Sequence, residues 1–187
     1  MEPNLKQEIS AAAVELFREQ GLKFTMQDVA NAMHISKKTI YTIYQSKEEL
    51  LLDMVDDAFE KIHRKKSEVM ARHTDLAEKI AAVLYTLPDE YTAMDLRQLA
   101  LLDEKYPIVG ARVRYQLETG WEPTLALMQQ AIDEGVLRPV KLPLVQQLVA
   151  AAIEGLLVDR TLEAQGMSYP EALKEVVAIL MEGLKAR

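Results

Sequence analysis

Cysteine is absent from this chain. Disulfides and thiolate metal centres are therefore excluded, and the fold must be held by an apolar core and hydrogen bonds. The same absence fits a cytoplasmic protein. Aromatic residues are scarce, at 6% of the sequence. No β-branched run alternates between turn residues, so nothing reads as a strand. No apolar stretch reaches the roughly 18–20 residues that a membrane span needs; Leu148 to Val158, the longest, is interrupted by Glu154 and Gly155. The N-terminus lacks the basic-then-apolar layout of a secretory signal. His34, His63 and His73 form no i, i+4 pair and no HExxH occurs, so no metal centre is expected. Neither GxSxG nor a phosphate-binding loop occurs, and the carboxylate pairs Asp56-Asp57 and Asp103-Glu104 have no nucleophile beside them. These residues read as solubilising, and neither an enzyme nor a cofactor is expected. Positive charge is also short. A net charge of -7 rules out nucleic-acid binding through the whole surface, so any such binding needs a local basic patch. One segment qualifies: from Val29 to Lys47 there is no acid, while Lys37, Lys38 and Lys47 are present.

What is plentiful is helix-forming sequence, and the fold class is all-α. Leu5, Ile9, Ala12, Ala13, Leu16 and Phe17 recur at helical spacing over about 3–20, with Gly21 placed for a left-handed cap. Thr25-Met26-Gln27-Asp28 has the form of a capping box and opens a short helix. Ser36 is placed to cap a third helix over about 37–44, and Ser46-Lys47-Glu48-Glu49 is a further capping box before a long fourth helix. Later helices are expected over about 74–86, 89–104, 108–134, 143–164 and 168–185. Pro123 kinks the third of these or starts a second piece. Ser168 to Glu171 marks the start of the last.

The second and third helices have the makings of a helix-turn-helix, in which the second member lies in the DNA major groove. Ala30 is small enough for a close crossing, His34 falls where positive φ is wanted, and Ile35 supplies the apolar residue after the turn. Ser36, Lys37, Lys38 and Thr39 then stand at the start of the recognition helix, with Tyr41 one turn on. Lysine donates to guanine edges or phosphate, and hydroxyls and free helix N–H groups bind phosphate oxygens. Lys47 is placed to clamp a flanking phosphate. The basic run Lys61 to Lys66 reads as a solvated helix face.

The run from Ile9 to Leu52 resembles the N-terminal domain of the tetracycline-repressor (TetR) family. AAxELFxExG, then TxxDVA, then ISxxTIYxxY and SKExL carry the likeness. The resemblance implies a helix-turn-helix domain over 1–48 and a helical ligand-binding and dimerisation domain over 49–187. It implies that Gln27, Lys37, Lys38 and Tyr41 contact bases and that Thr25, Thr39, Thr42 and Lys47 contact phosphates. One departure is His34, where the family usually has glycine; histidine tolerates the left-handed region better than most residues.

The resemblance further implies a homodimer reading a palindromic double-stranded operator, repressing until a small apolar or amphipathic effector releases it. Tyr85, Met94, Leu99, Tyr115, Trp121, Leu125 and Met128 are large, adaptable side chains suited to an effector pocket. Arg97 and Arg112 are candidates for orienting an acidic group at its mouth. Leu148, Ala151, Ala152, Gly155 and Leu156, with Val176, Val177 and Leu180, form apolar bands suited to a dimer interface. The residues leave other controls open: a protein partner in place of the small molecule, or a helical adaptor or enzyme whose first helices only look like a DNA reader.

Overall fold

A computed structural model describes residues 3–72, 75–92, 96–158 and 161–186. They are helical, with no strand among them; the only β-type pairing described is an isolated bridge between Leu137 and Lys185. The chain divides into two compact units. The first comprises the described residues up to Phe59 together with Gln98–Arg114, and the second comprises Glu60–Arg97 and Tyr115–Arg187 without the undescribed positions.

In the first unit, α1 (Pro3–Gln20) buries Ile9, Ala13 and Phe17 along one stripe. It ends where Gly21 takes φ +59°, and a turn of 3-10 helix over Gly21–Lys23 follows. Next come α2 (Met26–Ala32) and α3 (Lys37–Tyr41). Helix α4 (Lys47–Arg72) begins in this unit, where it buries Leu50, Leu51, Met54 and Val55. Its start differs from a full capping box. Glu49 N–H donates to Ser46 Oγ at 3.1 Å, but the Glu49 carboxylate accepts from Gln45 N–H at 2.6 Å. The third helix is also shorter than its apolar pattern predicts. The Thr42 hydroxyl bonds the Thr39 carbonyl at 2.7 Å and the chain tightens to i→i−3 bonding at Ile43.

The helix expected over 74–86 is α5 (Leu76–Leu84), whereas the one expected over 89–104 is instead a series of short pieces: α6 (Asp89–Thr92), a 3-10 segment Leu96–Leu101, and α7 (Leu102–Lys105). The expected 108–134 element is two helices, α8 (Pro107–Glu118) and α9 (Glu122–Asp133). Gly120 at φ +72° ends the first, and Pro123 sits in the first turn of the second, where its missing N–H costs nothing. The 143–164 element is α10 (Leu142–Val158) and α11 (Thr161–Ala164), before α12 (Tyr169–Leu184).

The second unit is built on one apolar core. Ile80 and Leu84 of α5, Trp121, Met128 and Ala131, Val145 and Val149 of α10, and Val177, Met181 and Leu184 of α12 are all buried in it. The end of α12 is tied to the segment after α9: Arg138 N–H donates to the Leu184 carbonyl at 2.9 Å, and Ala186 N–H to Val136 at 3.2 Å. None of the described helices is long and apolar enough to cross a membrane.

Candidate nucleic-acid interface

The turn between α2 and α3 is fixed from both sides. Thr25 accepts from Asp28 N–H at 3.2 Å, and the Asp28 carboxylate takes the Thr25 N–H at 2.7 Å and hydroxyl at 2.8 Å. The hydroxyl first, and then the backbone N–H, hold the Asp28 carboxyl below the usual aspartate range. Val29 and Ala30 are fully buried. Ile35 N–H reaches back to the Ala30 carbonyl at 3.0 Å and His34 N–H to Asn31 at 3.1 Å. Closing that turn puts His34 at φ +55°, the only positive φ of a non-glycine residue among the described residues. Ser36 then caps α3, its Oγ accepting from Thr39 N–H at 3.1 Å and sharing a 2.8 Å bond with the Thr39 hydroxyl.

The outer side of this pair carries the polar residues. Thr25, Gln27, Ser36, Lys37, Lys38, Tyr41 and Thr42 are exposed and Thr39 is partly so. Tyr41 leaves 40% of its surface open, and the Lys37 ammonium lies 5.7 Å from its ring centre. Gln27 bonds Asn31 at 2.9 Å, one turn along the same exposed side of α2. Among the described residues no carboxylate pairs with Lys37 or Lys38. The arrangement offers ammonium groups, an amide, a phenol and hydroxyls on the exposed ridge of α2 and α3, beside Ile40, which is fully buried.

Lys47 is placed differently from the other basic residues. Its ammonium donates to the Leu22 carbonyl at 2.7 Å and to the Phe24 carbonyl, and lies 4.0 Å from the Phe24 ring centre and 5.7 Å from that of Tyr106. Burial, and then the charge of Lys105, push its pKa down, with Asp28 opposing. Two of its three protons are thus spent on the connection between α1 and α2. A second staple escaped sequence reasoning. Tyr44, 1% exposed, donates to Asp53 at 2.5 Å, and Lys6 bonds the other Asp53 oxygen at 2.5 Å. Asp53 lies 47 residues from Lys6, so no local signal marks it.

Two further readings need correction. Arg112 does not stand free for a ligand: its guanidinium forks onto Asp56, Nε at 2.6 Å and Nη2 at 3.0 Å. Asp56 is therefore a structural partner rather than a solubilising acid, and Asp103 likewise bonds Arg114.

Of the residues expected to line a pocket, Trp121 and Met128 lie in the core of the second unit, with Tyr85 and Leu125 packed against it. Tyr115 is 55% exposed. Leu99 belongs to the first unit. Met94 lies outside the described residues, as does the side chain of Arg97. Of the expected interface residues, Leu148, Ala151 and Gly155 are exposed and Ala152, Leu156, Val176 and Leu180 are partly exposed. Val177 is the exception. It is 1% exposed and faces the core with Leu173 and Met181, because it stands one position off the outer face of α12.

Residues 9–54 match the family profile of bacterial regulatory proteins of the tetR family. This segment carries the DNA-binding domain of the TetR family. The matched segment ends at Met54, so it takes in the whole helix-turn-helix, Lys47 with its two carbonyls, and Tyr44 with Asp53, while Lys6 lies before it. Beyond it, this regulator is similar along nearly its full length to the uncharacterized HTH-type transcriptional regulator YvaF of Bacillus subtilis (strain 168), at 24% identity over 95% of this chain and 94% of that one. Its fold matches a TetR transcription regulator from Haloarcula marismortui ATCC 43049, with a TM-score of 0.80 at 20% identity, covering 98% of this chain and 100% of the other. It also matches the transcriptional regulator FadR from Bacillus subtilis in complex with stearoyl-CoA, with a TM-score of 0.69 at 18% identity, covering 95% and 98%.

Proposed function

We propose that this TetR-family regulator is a repressor that reads a palindromic operator as a homodimer and is released by a small-molecule effector. The observation that carries the reading is the exposed ridge of α2 and α3. Gln27, Lys37, Lys38 and Tyr41 are exposed there to meet base edges, and Thr25, Ser36, Thr39 and Thr42 to meet phosphates. The ridge is ordered before DNA arrives, so little side-chain and backbone freedom is lost on binding. Lys47 serves this surface from behind, by fixing the carbonyls that precede Thr25.

Dimerisation is supported by the outer faces of α10 and α12, two helices that pack side by side. Leu144, Leu148, Ala151, Gly155 and Val158 repeat at alternating steps of four and three, the spacing of a helix-pairing seam. Leu144, Leu148, Val158 and, on α12, Ile179 each leave more than half of their surface open. Gly155 and Gly183 have open space where a side chain would stand, which suits close approach of a partner helix. Reading a palindrome requires two recognition helices at the spacing of successive major grooves, which a symmetric dimer provides. By function we place the boundary between the DNA-binding and effector domains at residues 48 and 49, the start of α4. Control by an effector is supported by the fold neighbour FadR, which holds stearoyl-CoA.

The test is selection of bound sequences from random DNA, followed by affinity measurement on the winner. Lys37→Ala and Tyr41→Ala are each expected to weaken specific binding by about 1–3 kcal/mol. Full affinity in the double variant, with helix content unchanged, sinks the reading.

A further inference from the structure

The basic run Lys61-Ile62-His63-Arg64-Lys65-Lys66 lies on the part of α4 that belongs to the second unit. Its members are not equivalent, as a solvated face would require. Lys61 bonds Glu90 at 2.7 Å and Lys65 lies 3.5 Å from Asp89. Among the described residues no carboxylate pairs with Lys66. Its ammonium lies instead 5.7 Å from the ring centre of Trp121. One turn back on the same side of α4, His63 presses on the bend between α8 and α9: a side chain at Gly120 would come within 2.6 Å of the His63 ring. Gly120 is held at φ +72° at that point.

Two cationic or potentially cationic side chains therefore face one short bend. Trp121 beneath Lys66 is part of the apolar core that includes Met128 and has Leu125 packed against it. Burial pushes the Lys66 pKa down with no acid opposing it, and burial followed by the Lys66 charge pushes His63 down, opposed by Glu122. A desolvated ammonium is costly unless a counter-charge meets it, and lysines so placed mark sites where a ligand supplies that charge. A positive group at one end and an aromatic, apolar wall beside it complement a molecule with an anionic head and an alkyl body.

We propose that Lys66 is the residue that holds the anionic head of an amphipathic effector, a carboxylate or phosphate on an alkyl chain whose apolar body lies against Trp121. The proposal rests on the reading that the second unit binds the effector, and it names the effector's class. Neighbouring lysines do not substitute for Lys66, because Lys61 and Lys65 already face Glu90 and Asp89.

Trp121 is the only tryptophan in the chain, so its fluorescence reports on this site alone. The experiment titrates the full-length, DNA-free protein with decanoate, decyl phosphate, decanol and choline. Saturable change with decanoate or decyl phosphate, at least tenfold tighter than with decanol, supports the proposal, and the tighter of the two anions identifies the head group. Lys66→Met is expected to lose that preference at least tenfold, and Lys66→Arg to keep it. Lys66→Gln serves as a second neutral variant should the methionine variant lose helix content. Decanol or choline binding as tightly as the anions, or a neutral variant binding decanoate as wild type does, overturns the role of Lys66 and leaves effector control standing. No response to any of the four probes, by fluorescence or by operator release, overturns both.

Discussion

Around the recognition helix, side chains cap backbone: Thr25 and Asp28, Ser36 and Thr39, and Lys47 on two carbonyls, with Tyr44 and Lys6 converging on Asp53. In the second unit the corresponding work is done by Ile80, Met128, Val145, Val177 and their neighbours, which have no directional bonds to make. Hydrogen bonds fix angles, whereas apolar packing fixes volume and leaves several arrangements close in energy. A surface that must match base edges needs the first kind of support. The effector binding proposed for the second unit calls for the second kind.

The largest effect that sharpens this contrast is expected in the second unit. Met128 is fully buried, and Met128→Ala is predicted to destabilise that unit by about 2–5 kcal/mol through lost contacts and the cavity left behind. Amide exchange should quicken in α5, α9, α10 and α12. Equal loss of protection throughout α1–α3 would show that the two units do not differ as described.

A smaller effect is expected at Lys47. Replacing it by methionine keeps a similar length and leaves the Leu22 and Phe24 carbonyls without their donor, at a cost of about 1–2 kcal/mol in thermal or denaturant unfolding. Operator affinity should fall as well. Because two of its three N–H donors already bond carbonyls and leave it poorly placed to clamp a phosphate, the slope of log affinity against log salt should stay at its wild-type value. A slope reduced by about one unit would show instead that Lys47 neutralises a phosphate.

These two residues also show what could be read from the chain alone. The caps at Thr25, Ser36 and Ser168 were legible because donor and acceptor lie three residues apart, and the left-handed His34 because the turn between two amphipathic runs leaves one position for it. The all-helical class and the TetR likeness followed from the same local patterns. The direction of the Lys47 ammonium was not legible, since its partners lie 25 and 23 residues away. Nor was the Arg112–Asp56 fork, spanning 56 residues. Helical periodicity marked Val177 as apolar but could not separate the inward from the outward side of α12, where both carry aliphatic residues. The break within 108–134 had its signals in Gly120 and Pro123, and the structure chooses two helices over a kink.

The smallest effect belongs to His34. His34→Gly is predicted to stabilise the first unit by less than about 1 kcal/mol by relieving a side chain held at positive φ, and His34→Val to destabilise it by more. Identical melting temperatures for the two variants would contradict the geometry of the turn and, with it, the view that directional constraints govern this unit.

The acid-free stretch from Val29 to Lys47, set in a chain of net charge -7, makes the molecule an electric dipole as well as a reader of DNA. As it nears a duplex, the phosphates attract the acid-free stretch and repel the acidic remainder, and the resulting torque favours approach through the basic side. With a screening length of about 8 Å at physiological salt, this rotation acts only over the last nanometre of approach. Encounters with the wrong face separate quickly, so the acidic surface sets how much time the protein spends on unproductive collisions.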